Sequence, residues 1–263
     1  MTDPPNKADE QSVAQPATGG SDRPTILVPI EVLTGETLPD GVPELLANAR
    51  VVLLGYHVLP EQTPPGQARL EFEDRAQRKL EAFQAAFEAA GAVVERHLVF
   101  THSEQQTLDR KIYEYDCLAV LVPNACEPPE DVLVAIKGAV GLDRIVDLVA
   151  GLFADTDVTV TLYQGQSADQ DPAEGRSLLD AAKMQLVRRG LDASTVECVI
   201  DDEPSGADRI AELGADYDAV VVGETDPSVV TFVFGMPSKQ IADRFLGPVI
   251  VVQRPRDDGA RGI

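Results

Sequence analysis

Nine short runs of aliphatic and β-branched residues, each set off from the next by a helical pattern or a loop, constrain this chain most. They are "TILVPI" (25–30), "RVVLLGYHVL" (50–59), "AVVERHLVF" (92–100), "CLAVLVP" (117–123), "DVLVAI" (131–136), "VTVTLY" (158–163), "STVECVI" (194–200), "DAVVVG" (218–223) and "PVIVVQ" (248–253). Continuously apolar strands alternating with helical patterns predict an α/β fold, with parallel sheets covered by helices on both faces. The longest helix is expected over 68–90, where Leu70, Phe72, Leu80, Phe83 and Phe87 recur at helical spacing ahead of a capping Gly91. Others are expected near 139–153, 173–189, 205–213 and 237–246.

The alternation restarts midway. "DRKIYEYDCLAVLV" in the first half matches "DRIAELGADYDAVVVG" in the second, each with Asp-Arg opening a helix and Tyr-Asp (Tyr115-Asp116, Tyr217-Asp218) just before a strand. "TILVPI" and "DVLVAI" match likewise, but the first copy has only "NACEPPE" where the second has a loop, a helix and a fifth strand. The expected organisation is a tail over 1–23, a four-stranded repeat over 24–126, a five-stranded repeat over 127–254, and a tail over 255–263. The tails are rich in Pro, Gly, Asp and Ser or Arg and hold too little apolar surface to offset ordering, so they are expected to be disordered.

Charge narrows the function. The 263 residues carry 44 Asp plus Glu against 22 Lys plus Arg, a formal net charge of −22. Such an excess repels nucleic acid and anionic membranes. The acids are spread along the chain and lysine is scarce, which fits solubility in concentrated salt better than a tail for a basic partner. At about 1 M salt the Debye length falls to ~3 Å and self-repulsion is screened. Three cysteines without a CxxC pair argue against a disulfide framework or a zinc site, and His57, His97 and His102 are too scattered for a metal cluster. No run is long enough to span a membrane and no secretory start is visible, so a cytoplasmic location is expected.

"TILVPI" and "VLVAIKG" opening the repeats, the strand "YDAVVVGE" and the ending "FGMPSKQIADRFLGPVIVVQ" resemble the universal stress protein family. The resemblance covers nearly all of the chain between the tails and is most specific over 208–253. It implies the adenine nucleotide α-hydrolase-like fold, a role in stress response, dimerisation through the last strand and, in one subgroup, ATP binding. That subgroup carries Gly-x2-Gly-x9-Gly-Ser/Thr after the fourth strand and an aspartate ending the first.

This sequence departs from the pattern at most decisive positions. Gly223 fits the first glycine, Asp226 stands at the second, and Gly235 closes the loop but is followed by Met236, with Ser238 displaced by two. A phosphate loop needs backbone N–H groups free to approach an anion. Pro227 and Pro237 each remove one, and Asp226 puts a negative charge in the way. The strand-ending aspartate is replaced by Glu31 in the first repeat and Lys137 in the second. Lys137 lies where open parallel sheets bind ligands, so it could hold an anion or pair with Glu224 or Asp226.

Other signals are plain. Asp201, Asp202 and Glu203 suggest a receiver's metal-holding acids, but only 61 residues and one lysine, Lys239, follow Asp202. That is too little for the further strands that would carry a receiver's phospho-accepting aspartate and its lysine, and the three acids are read as loop charges favouring the next helix dipole. No base–nucleophile pair or catalytic motif is present. Cys117 and Cys198 read as small buried hydrophobes and Cys126 as the thiol open to solvent. His57 and His97 read as core or interface histidines, and Thr101 or Ser103 as a cap for a helix beginning near His102.

The expectation is a non-catalytic regulatory protein of the stress-protein type, with no catalytic residue, no metal and no required cofactor. It is expected to dimerise through 248–253, unless the shortened first repeat covers that edge within one chain, and to act on protein partners. The alternative is an ATP-binding sensor whose non-standard loop 223–238 uses Gly223, Gly235 and Ser238 with Lys137.

Overall fold

The computed structural model describes residues 23–35, 37–165, 172–203, 206–223 and 247–254. The tail up to residue 22, the tail 255–263 and the expected helix at 237–246 lie outside them.

All nine expected strands form: β1 (Thr25–Glu31), β2 (Arg50–Val58), β3 (Val93–Thr101), β4 (Ala119–Val122), β5 (Asp131–Ala135), β6 (Thr159–Gly165), β7 (Val196–Asp201), β8 (Ala219–Gly223) and β9 (Val249–Val252). They make one sheet in the order β3-β2-β1-β4-β9-β8-β5-β6-β7. Every pairing is parallel except β4 with β9, where Ala119 lies opposite Val252 and Val122 opposite Val249.

That pairing corrects one expectation. The strand at 248–253 was expected to offer an open edge to a second chain, but β9 has β8 on one side and β4 on the other. Its ladder groups are used within the chain, because the first half lacks a fifth strand and leaves the β4 edge for β9 to cover.

The helices follow from local sequence. α2 (Pro65–Ala90) starts earlier than expected because Pro65 occupies a first-turn position, where its missing N–H costs nothing, and it ends at Gly91 with φ 113°. α3 (Glu104–Glu114) is capped by Ser103, whose hydroxyl accepts from the Gln106 amide at 3.4 Å. α4 (Leu142–Phe153), α5 (Pro172–Arg188) and α6 (Ala207–Gly214) fall where the sequence placed them. A short α1 (Val42–Leu45) was not expected; it begins at Gly41, whose φ of 78° suits glycine.

Strand residues alternate between the two faces of the sheet. On one face Ile26, Leu53, Leu121, Val134, Leu162, Val221 and Ile250 share a single core with Leu80 and Phe87 of α2, Val149 of α4 and Leu179 of α5. This core runs unbroken through both halves of the chain. The opposite face carries two smaller cores, one under α3 with Leu27, Val52, Leu108 and Ile112, the other under α6 with Leu133, Val220, Val251 and Ile210. Each large aliphatic side chain fully buried here contributes about 1.5–3 kcal/mol.

Candidate functional site

Within β1–β4 and within β5–β9 the parallel strands bring their C-terminal ends to a common edge, and the loops that follow form a rim there. In the second half, Ala135 of β5 lies beside Val222 of β8. Lys137, two residues beyond β5 and exposed, and Gly223, which ends β8, therefore lie at the ends of neighbouring strands. Gly235 and Ser238 lie outside the described residues, as do Glu224 and Asp226. The sequence-based site is thus placed at two of its four residues.

The strands of the first half run the other way, so their C-terminal rim lies at the other sheet edge; it is built from Glu31, His57, Tyr56 and Glu104. Nδ1 of His57 stands 3.7 Å from Oε1 of Glu31, and the ring meets Phe72 and Phe100 edge-on at centroid distances of 6.4 Å. The Tyr56 hydroxyl donates to Oε1 of Glu104 at 2.8 Å, and Nζ of Lys79 donates to the Val32 carbonyl at 3.3 Å. Glu31 is half-buried against a histidine.

At the rim beside β6 and β7, Asp201 gathers three partners. It accepts from the Tyr163 hydroxyl at 3.1 Å, from Nε of Arg209 at 2.9 Å and from the Glu203 amide at 3.1 Å. These bonds hold its carboxyl below the usual range, led by the Glu203 amide and then Arg209. Burial first, then the Asp201 charge, pushes the Tyr163 hydroxyl up to about 12. The acid read as a free loop charge is a structural anchor joining β6, β7 and α6.

The thiols differ from expectation. Cys117 is buried as expected, but Cys198 is exposed on the edge strand β7 and Cys126 is half-buried. Burial, with Asp218 and Glu44 nearby, pushes the Cys126 thiol up to about 11. Among the described residues, no group of three or more His, Cys, Asp and Glu side chains could hold a metal ion, and no helix is long and apolar enough to cross a membrane.

The edge where β1 and β4 begin, and where β8 and β9 end, holds a feature the sequence did not single out. A cleft of about 570 Å³ opens where β1 and β4 begin, lined by Arg23, Asp116, Arg144, Asp147 and Arg189. Nε of Arg144 donates to the Gln253 carbonyl at 2.8 Å, Arg23 donates to the Gly91 carbonyl at 2.7 Å, and Arg189 pairs with Asp147 at 2.6 Å. These residues are scattered from 23 to 189 and only the fold assembles them.

No family model matches the sequence, and no curated protein matches it. Solved structures do. A universal stress protein from Archaeoglobus fulgidus DSM 4304 superposes with a TM-score of 0.57 at 14% identity, over 89% of this chain and 97% of its own. A universal stress protein in complex with cAMP matches 48% of this chain and 98% of its own, at 18% identity and a TM-score of 0.35. One from Archaeoglobus fulgidus in complex with dAMP matches 46% of this chain and 96% of its own, at 18% identity and a TM-score of 0.33. The last two scores are too low to carry weight, and the first establishes architecture. The chain has the fold of the universal stress proteins.

Proposed function

We propose that the chain is a non-catalytic regulatory protein of the universal-stress-protein type, built from two fused units and lacking a working ATP cradle. What supports this reading is the pairing of β5 with β8, which brings Lys137 and Gly223 to the ends of neighbouring strands, at the kind of rim where open parallel sheets hold ligands. A lysine stands there in place of the nucleotide-contacting carboxylate, and Asp226, Pro227 and Pro237 follow in the sequence where phosphate-binding amides are needed. The protein acts in the cytoplasm through protein partners, and its net charge of −22 keeps it off nucleic acid and anionic membranes. The same charge suits concentrated salt, so melting temperature should rise between 0.1 and 2 M KCl. A fall over that range would remove the salt-adaptation part of the reading.

A second reading rests on the same adjacency. Lys137 and Gly223, on neighbouring strand ends, would join Gly235 and Ser238 in a non-standard cradle for ATP, and the protein would be a nucleotide sensor. Calorimetric titration of ATP into protein purified in molar KCl, with mass spectrometry for co-purified nucleotide, separates the two. No heat and no nucleotide support the first. Micromolar binding lost in Lys137→Ala establishes the second.

A further inference from the structure

Because β4 and β9 are antiparallel, the cleft where β1 and β4 begin lies on the sheet edge at which β8 and β9 end, but among the described residues its lining includes neither Lys137 nor Gly223. Its volume of about 570 Å³ falls among small-molecule pockets, which span about 300–1,000 Å³. Both signs of charge line it: Arg23, Arg144 and Arg189 against Asp116 and Asp147. In a chain with twice as many acids as bases, three guanidinium groups around one cleft are an uncommon concentration of positive charge.

Asp147 and Arg189 satisfy each other. Of the rest, Arg144 gives one N–H to Gln253 and Arg23 gives one to Gly91, while each guanidinium carries five donors in a planar fork. Both therefore keep N–H groups for a carboxylate or phosphate. Asp116 is different. It is held at φ 46°, and among the described residues no hydrogen bond or ion pair engages its carboxylate. In the second half of the chain, the Asp of the matching Tyr-Asp pair is engaged by the backbone. There Asp218 accepts from the amides of Glu130 and Asp131, at 2.8 and 2.9 Å, where β5 begins. The residue before β1 is Pro24, which has no N–H to give. The carboxylate is left at the cleft wall, with the arginine forks lining the same space.

An anion alone would leave Asp116 unmatched, and a cation alone would leave Arg23 and Arg144 unmatched. We propose that this cleft binds a small zwitterion of the α-amino-acid class, with its carboxylate on Arg144 and Arg23 and its ammonium on Asp116. The cleft abuts the β4–β9 seam through Leu118 and the Arg144–Gln253 bond, so occupancy also clamps the two halves together.

The test is calorimetry on the full chain with glycine, glutamate and arginine, each compared with its N-acetylated form and, for glycine, with glycinamide. At least one free amino acid should bind saturably, with tenfold or greater loss on N-acetylation or amidation. Asp116→Asn suits the left-handed backbone and should weaken binding at least tenfold without lowering the unliganded melting temperature. Arg23→Gln, which does not touch the seam, should do the same. No saturable binding up to 20 mM, equal affinity for the N-acetylated form, or binding unchanged in both variants would overturn the proposal.

Discussion

Leu121 of β4 lies directly opposite Ile250 of β9, on the one antiparallel ladder of the described sheet. The two halves of the chain are thereby joined through main-chain hydrogen bonds, and both side chains enter the core that runs beneath them. Ile250→Ala should cost about 2–5 kcal/mol and lower the urea midpoint as a single transition seen equally by circular dichroism and fluorescence. The sedimentation coefficient should not change. Two separated transitions would show that the halves unfold independently, and a change in oligomeric state would show that β9 pairs between chains.

The Asp201 anchor predicts opposite behaviour at the two ends of the pH scale. Its carboxyl is held below the ordinary carboxylate value, so its stabilisation is present above about pH 4 and is lost as pH falls through the lower folded value. The stability gap between the parent and Asp201→Asn should be widest near pH 7 and close on the acid side. Urea midpoints at pH 7, 5, 4 and 3 measure it.

Tyr163 mirrors this at high pH. Its folded value of about 12 lies above the unfolded value of about 10. The contribution is therefore complete below pH 10 and lost as pH rises through the folded value. Tyr163→Phe should cost about 1 kcal/mol at pH 7 and flatten the decline of stability between pH 10 and 12.

Thiol chemistry should follow position, not sequence context. With an aromatic disulfide reagent at pH 8, Cys198, exposed on β7, should react first, and Cys198→Ser should abolish the fast phase. Cys126, pushed up to about 11, and buried Cys117 should react only on unfolding.

Gly41 guards Cys126. Its φ of 78° is costly for other residues, and a Cβ there would press on the carbonyl and Sγ of Cys126. Gly41→Ala should destabilise by about 1–3 kcal/mol and bring Cys126 labelling into the fast phase.

These contrasts mark what the sequence carried. Every strand was legible because each is a short β-branched run, and α2 because its apolar residues recur at helical spacing before Gly91. The β4–β9 pairing was not, since "AVLV" and "VIVV" encode neither partner nor direction. Cys198 was misjudged for a related reason: β7 is an edge strand, and only the neighbouring Glu197 hints that the run faces water. Lys137 and Gly223 could be placed together because parallel strands align their C-terminal ends. Arg23, Arg144 and Arg189 could not, because each looks like an ordinary surface arginine until the halves join.

The position of β9 also dictates an order of events during synthesis. β1 through β4 leave the ribosome first, and the free side of β4 stays uncovered until Val249–Val252 has been made. At about 5–20 residues per second that interval is roughly 6–25 s. Throughout it a nascent chain presents an apolar, unpaired strand edge to any other nascent chain on the same message. Yield should therefore depend on how fast the ribosome reaches the final strand, and a pause placed between codons 123 and 248 should turn folded protein into aggregate without altering a single residue.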